Sequence, residues 1–230
     1  MNLPLLWLAV ASFLFFATHI SLAHPLVRKR IAEAMGELGF LSLYSVMSGA
    51  TLAWMIWSYI NAPIVEVWYP ITAFRHASLT LMLFACFLLV CGYTTSNPGA
   101  LGMEKLGMRL GPRGVLKITR HPVMWGVALW ALSHVLANGH VAGYLFFGTF
   151  TVLAIGGAAH IDLKKRDRLG EAWEKYMAET SHVPLGALLA GRTRMAPGEI
   201  KWWQTGLSIA LYVGLILAHE PVFGLAVWPL

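Results

Sequence analysis

Charge is what this chain has least of. Only 12% of its 230 residues are charged and 57% are apolar, for a mean hydropathy of +0.63. Soluble domains carry about a quarter charged residues, so half that share excludes a water-facing surface over most of the chain. Cysteine is nearly absent. Cys86 and Cys91 share one apolar run and lie about 140° apart on a helix, which argues against a disulfide between them. There is no CxxC, no CxxCH and no zinc-type spacing, so covalent haem attachment and structural zinc are not expected. The net charge of +6 does not point to nucleic acid, because the basic residues gather in loops between apolar runs.

Those apolar runs are the chain's main content: Leu3–Ala23, Phe40–Ile60, Ala77–Tyr93, Val123–Ala137, Val141–Ala159 and Thr205–Ala226. Most approach the roughly 20 residues that cross a hydrocarbon core about 30 Å thick; the fourth is short. Met1-Asn2 brings no basic residue and no small-residue cleavage site follows, so the first run is expected to be a retained helix. The expected fold is all-α, a polytopic membrane helical bundle of about six transmembrane helices with a cytoplasmic amphipathic helix, in one domain over residues 1–230.

Loop charge sets the expected orientation. Arg28, Lys29 and Arg30 follow the first run. Five basic residues from Lys105 to Arg120 precede the fourth, and eight from Lys164 to Lys201 lie between the fifth and sixth. Of the 17 Lys and Arg, only Arg75 falls in a loop of the opposite set. The positive-inside rule therefore puts both termini on the periplasmic side of a bacterial inner membrane. Residues 94–119, rich in Gly and Pro, read as irregular. Residues 162–178, with Leu163, Leu169, Trp173 and Tyr176 among charges, read as a helix suited to the membrane surface. Trp54, Trp57, Trp68, Tyr69, Trp202, Trp203 and Trp228 fall near run ends, where such rings anchor at the interface. Trp125 and Trp130, inside the fourth run, read as pocket-lining.

Nine histidines are many for such a chain, and an ionisable group in a bilayer is a functional candidate by default. His19 lies about 24 Å along the first helix from Leu3, among Phe13, Phe15 and Phe16. His121 stands before Pro122, a residue suited to the first helical turn, where the helix dipole favours a neutral ring. Neutral imidazole is the metal-binding form, and two such rings on separate helices suit the axial positions of a haem. The plainer alternative is that each only hydrogen-bonds a carbonyl and fastens helices together. His24 rivals His19, but the two lie about 140° apart on a helix. His134 and His219 could form a second site; His140 and His182 read as ordinary interfacial or loop residues. Asp162 with Arg166 reads best as an i,i+4 surface pair.

The blocks Phe16-Ala-Thr-His19, Leu43-Tyr44-Ser45, Ile118-Thr-Arg-His121-Pro-Val-Met-Trp-Gly126, Asp162-x3-Arg166-x2-Leu169-Gly170 and Thr180-Ser-x-Val-Pro184 with Gly191-Arg192 strongly resemble the NnrU family over nearly the whole chain. That family is named from a link to nitrite and nitric-oxide respiration in denitrifying bacteria, and 15-cis-zeta-carotene isomerase looks like a relative of it. The resemblance implies a non-covalent haem b with His19 and His121 as iron ligands and redox-gated chemistry, such as cis–trans isomerisation, on a lipophilic substrate. Arg120 could then pair with a haem propionate. A more distant similarity, carried by Arg120-His121-Pro122 and by Gly170-Glu-Ala-Trp173-Glu-Lys-Tyr176, is to isoprenylcysteine carboxyl methyltransferases. It implies S-adenosylmethionine as an alternative cofactor, held by His121, Asp162, Arg166 and Trp173. A non-enzymatic role as assembly partner of a nitrogen-oxide reductase is the third reading. Membrane lipid, nitric oxide or a lipophilic substrate are the expected partners, and nucleic acid is not.

Overall fold

The structure, a computed structural model, describes residues 3–100 and 102–227; Trp228 lies outside them. The described residues form ten helices and no strand: α1 (Leu3–Ala23), α2 (Pro25–Ile60), α3 (Thr72–Thr94), α4 (Glu104–Leu110), α5 (Val115–Ile118), α6 (Pro122–Asn138), α7 (Val141–Leu169), α8 (Glu171–Glu179), α9 (Gly186–Leu189) and α10 (Trp202–Phe223). Of these, α1, α2, α3, α7 and α10 are long and apolar enough to cross a membrane. At 17 residues, α6 reaches about 25 Å at the α-helical rise, which matches the short fourth run. This is the all-α architecture of a polytopic membrane protein. Large apolar side chains stand outward on its helices, among them Phe13, Trp57 and Leu217, as lipid rather than water requires.

Three helices differ from expectation at their ends, each for a local reason. The second begins at Pro25, whose ring suits N1, and crosses a kink at Gly36, where φ is +77°. The ion pair of Arg28 with Glu37 straddles that kink. The fifth apolar run does not stop at Ala159 but continues as α7 to Leu169. Gly170, at φ +53°, then breaks the chain before α8. The expected surface helix over 162–178 is therefore two pieces, and Trp173 and Tyr176 are buried rather than presented outward. The stretch expected to be irregular holds two short helices, α4 and α5.

Two compact units form. The first comprises the chain up to Tyr69 together with Asn138–Leu153. Within it α1 packs on α2, and rings fill the contacts: Trp7 with Trp54 at 6.3 Å, Phe15 with Phe150 at 5.3 Å and Tyr59 with Phe146 at 4.7 Å. The carbonyl of Gly139 accepts from Val67 N and Trp68 N at 2.8 and 3.0 Å. Gly139 has φ +62°, and a Cβ there would meet Trp68 O at 2.3 Å, so no other residue fits.

The second unit comprises Pro70–Ala137 with the chain from Ala154 onward. Its core joins Leu88 and Cys91 of α3 to Val115 and Leu116 of α5, with Trp125 and Leu129 of α6 packed against them. Helices α3 and α6 meet closely because glycine occupies the contact. A Cβ on Gly126 would lie 2.7 Å from Leu89 Cγ, and one on Gly92 would lie 2.9 Å from Val123 Cγ2. Small residues at such contacts let helix backbones approach, a main route to packing where lipid removes the hydrophobic drive. Cys86 and Cys91 are buried and unbridged. At the start of α10, Gln204 Nε2 donates to Thr94 Oγ1 at 2.7 Å, tying α10 to the end of α3.

Candidate functional site

The segment Ile118–Trp125 is held by chain far from it in sequence. Upstream, Gly114 sits at φ +52° with its N–H on Glu199 Oε2 at 2.9 Å, and Lys117 Nζ donates to Glu199 Oε1 at 2.6 Å. The chain then extends at Thr119, φ −154° and ψ 145°, before Pro122 opens α6. Through this turn the backbone is laced to residues 181–185. Arg120 N donates to Ser181 O at 3.0 Å, and Leu185 N to Ile118 O at 2.7 Å. Thr119 Oγ1 donates to His182 O at 2.7 Å and accepts from His121 N at 3.2 Å. Trp125 Nε1 donates to the same His182 carbonyl at 2.7 Å. Leu185 adopts φ +67° within this loop, a left-handed conformation that non-glycine residues rarely hold.

That lacing brings Arg120, His121 and His182 onto one carboxylate. Asp162 Oδ1 accepts from His121 Nε2 at 2.8 Å, and Arg120 reaches Asp162 through Nε at 2.9 Å and Nη2 at 2.6 Å. His182 Nδ1 lies 3.4 Å from Asp162 Oδ2. The side chains of Arg120 and Asp162 are only 10% and 13% exposed, so the fork is shielded from water. An ionised carboxylate can only accept; the hydrogen on His121 therefore sits on Nε2, and Nδ1 carries the lone pair. Burial drives the His121 pKa below the ordinary histidine value, and the Asp162 hydrogen bond opposes it without reversing it. The ring is neutral at physiological pH.

His121 also lines a half-open cavity of about 340 Å³, walled mainly by Tyr93, Met103, Val123, Met124 and Ile161 with Asn97 at one side. This falls within the usual range of small-molecule pockets, mostly apolar with a few placed polar groups. The site is thus a buried neutral imidazole, fixed from behind by a carboxylate, with an apolar cavity beside it.

The ligating atoms of His121, Asp162 and His182 lie within 4.8 Å of one another, close enough to suggest a two-histidine, one-carboxylate cage. The Arg120 fork argues against a cation there. Both Asp162 oxygens already accept from the guanidinium, which would neutralise the one anionic ligand and set a fixed positive charge beside the ion.

His19 belongs to the first unit, and its setting there is different. Its Nδ1 donates to Phe15 O at 2.8 Å, one turn earlier on its own helix, which leaves Nε2 for a ligand. The Phe15 ring lies 4.2 Å from it and the Tyr44 ring 5.7 Å. Its rival His24 is the exposed N-cap of α2. In the second unit His134 and His219 are near neighbours, with ring centroids 6.5 Å apart, and their Nδ1 atoms meet the carbonyls of Trp130 and Leu225. Trp125 serves as a clamp on the His182 carbonyl.

Two features escaped the sequence reading. Asp162 was expected to pair with Arg166, which instead meets Glu174, and His182 was expected to be an ordinary loop residue. A signal existed for Asp162, which heads one of the motif blocks quoted above; His182 stands at an unspecified position of another, and the structure brings those blocks together with Arg120-His121-Pro122.

The sequence pattern of the NnrU protein family matches residues 6–227. The chain belongs to the NnrU family. Among curated proteins, this NnrU protein is 28% identical over 152 residues to the chloroplastic 15-cis-zeta-carotene isomerase of Arabidopsis thaliana, covering 65% of this chain and 41% of that protein. It is 28% identical over 120 residues to the enzyme of the same name from Zea mays, covering 52% of this chain and 33% of that one. The matches therefore span well under half the length of these relatives. No solved structure matches.

Proposed function

We propose that this NnrU protein is an isomerase-like, redox-linked membrane protein that takes a lipophilic small molecule into the cavity beside His121, with haem b as its cofactor. The observation that carries the reading is His121 itself: 3% exposed, held by Asp162 through one nitrogen, and lining an apolar cavity. The two relatives act, by their names, on a carotene, which makes a polyene the first substrate class to test. Nitric oxide, brought in by the family's link to denitrification, is the second.

Imidazole pairs are a common donor set for haem b. A ligating histidine commonly donates its other ring N–H to a carboxylate or a backbone carbonyl, which fixes its orientation and basicity. His121 does so to Asp162 and His19 to Phe15 O, each within its own unit, so each ring by itself has the partner that a ligating histidine commonly has. Bound haem b would supply one-electron redox chemistry and a coordination position that opens when a ligand leaves. The chain's own residues orient the two rings and keep the cavity wall apolar. Arg120 meets Asp162 through Nε and Nη2, and its Nη1 would be the group left to pair with a propionate. The same fork weakens the methyltransferase alternative, because Asp162 is no longer a free carboxylate for a sulfonium cation. Membership of a bacterial inner membrane with periplasmic termini is part of the proposal and rests on the loop charges.

The test is an absorption spectrum of the detergent-purified protein, oxidised and dithionite-reduced, with pyridine haemochrome quantification. A low-spin b-type spectrum near one haem per chain is expected. A monodisperse protein that stays colourless after haem reconstitution would end the haem reading. It would turn attention to S-adenosylmethionine binding by calorimetry and to co-purification with a nitrogen-oxide reductase.

A further inference from the structure

The described wall of the cavity beside His121 comes wholly from the second unit, and two of its residues carry polar side chains that the fold otherwise buries. His121 is 3% exposed and Asn97 5%. Each has one polar atom engaged by the protein. His121 Nε2 donates to Asp162, which stands outside the wall, and Asn97 Oδ1 accepts from Gly99 N at 2.8 Å. The other atom of each side chain, Nδ1 of His121 and Nδ2 of Asn97, has no partner among the described residues. Neither belongs with the unpartnered atoms that the fold seals off, such as Ser12 Oγ and Tyr176 Oη. Both therefore open on free space, and the cavity is the space that the two residues share.

The two atoms make opposite demands on an occupant. With the hydrogen on Nε2, Nδ1 can only accept, whereas an amide nitrogen can only donate. No described wall residue carries a charge, so an ionised head group would lose its water with nothing to replace it. A plain hydrocarbon suits Met103, Val123, Met124 and Ile161 but leaves both polar atoms unsatisfied, at about 1–3 kcal/mol each. A neutral hydroxyl donates and accepts through one small group. At about 340 Å³ the cavity is near the low end of small-molecule pockets. It has room for a ring or a chain end, and its open side lets the rest of a longer molecule out.

We propose that this cavity is a hydroxyl-selective site, which takes the head of a neutral lipophilic alcohol or phenol. The O–H donates to His121 Nδ1, and the oxygen accepts from Asn97 Nδ2. Asp162 and Arg120 keep that polarity fixed. While the carboxylate takes the Nε2 hydrogen, a neutral His121 cannot turn Nδ1 into a donor. The proposal rests on the cavity being the ligand site, as in the proposed function, and not on haem. Within that reading it narrows the substrate class to lipophiles that end in a hydroxyl.

The experiment measures binding of 2-naphthol and of 2-methylnaphthalene, which has a methyl group in place of the hydroxyl, to the detergent-purified full-length protein. Each dissociation constant is corrected for partition of the probe into protein-free micelles. Wild type is expected to bind 2-naphthol about tenfold tighter, the worth of a hydrogen bond to a buried acceptor. In His121→Phe that preference should shrink to about twofold or less, with 2-methylnaphthalene bound as before. Equal affinities in wild type would overturn the proposal, and that comparison needs no variant, so it decides even if His121→Phe does not fold. A preference that survives in His121→Phe would overturn it too, because the acceptor would lie elsewhere. Ala100→Trp, which fills the cavity from its wall, should abolish binding of both probes. Binding that Ala100→Trp leaves unchanged, or no saturable binding of either probe to wild type, would overturn the cavity as a ligand site together with this proposal.

Discussion

His19 in the first unit and His121 in the second are each fixed through one ring nitrogen, yet by opposite means. His19 hangs on the carbonyl four residues before it, in a helix that would form with or without that bond. His121 is held by a carboxylate 41 residues away, which is itself held by Arg120 and approached by His182. Both partners of the first hydrogen bond lie on α1, four residues apart. The second needs the strand-like turn at Thr119, the end of α7 and the loop after α8 to arrive together. A locally held ring tolerates change around it, because its partner is part of the helix ladder. A remotely held one depends on a network of buried charges, where removing one member strands the others.

The sharpest way to break this comparison is to remove the cation from one ion pair in each unit. Arg120→Leu leaves Asp162 as a shielded, unpaired carboxylate, and loss of a buried partner costs roughly 3–5 kcal/mol. Arg28→Leu removes the partner of Glu37 across the kink in α2, where both side chains are about half exposed. Exposed pairs contribute about 1 kcal/mol or less. Thermal unfolding in detergent should show a large drop for the first and almost none for the second. Equal drops would mean that the Arg120 fork is no more than a surface contact.

Replacing the histidines themselves comes next in size. His121→Leu removes a hydrogen bond to a charged acceptor, worth about 1.5–3 kcal/mol. His19→Leu removes a bond to a carbonyl inside the helix, and the leucine suits the aromatic surroundings, so the expected cost is about 1 kcal/mol or less. Haem content should nevertheless fall in both. Stability and haem content thus separate at His19 and move together at His121, which a denaturation midpoint and a haemochrome assay on the same samples would show.

Acidification reads the same contrast with a smaller effect. Burial lowers the His121 pKa below that of the unfolded chain, so the unfolded state binds more protons between the folded value and about 6.5. The stability contributed by the neutral ring is fully present above about pH 6.5 and is lost as pH falls from there through the folded value. Unfolding midpoints from pH 7.5 to 5 should therefore decline in wild type, and less steeply in His121→Gln. Parallel slopes would show that this ring does not set the acid sensitivity.

The sequence made the local half of this comparison readable and left the other half hidden. Apolar runs located the long helices because lipid sets their length, and His19 stood out because an aromatic stretch of one helix surrounds it. His121 was marked by Pro122 and by the helix start, where the dipole favours a neutral ring. Asp162 was misread because an i,i+4 neighbour, Arg166, offered a plausible local partner, whereas its actual partners are 41 and 42 residues upstream. The extension of α7 past Ala159 decides this: it carries Asp162 on a rigid helix instead of a separate surface segment. His182 was misread for the same reason, since its role depends on where its loop is stitched.

The finest test concerns that stitching. The His182 carbonyl accepts from both Trp125 Nε1 and Thr119 Oγ1, so the two donors can be removed singly. Trp125→Phe keeps a ring against the Leu88–Leu116 core and leaves Thr119 on the carbonyl. The expected loss is that of one neutral hydrogen bond, about 1 kcal/mol. Thr119→Val also strips the acceptor from the buried His121 N–H, adding the cost of an unsatisfied buried donor, about 1–3 kcal/mol. Thr119→Val should therefore be the more damaging of the two, although threonine to valine is the smaller change in volume. If chemical denaturation instead ranks Trp125→Phe lower in stability, bulk packing by Trp125 holds the His182 loop, and the hydrogen-bonded stitch is secondary.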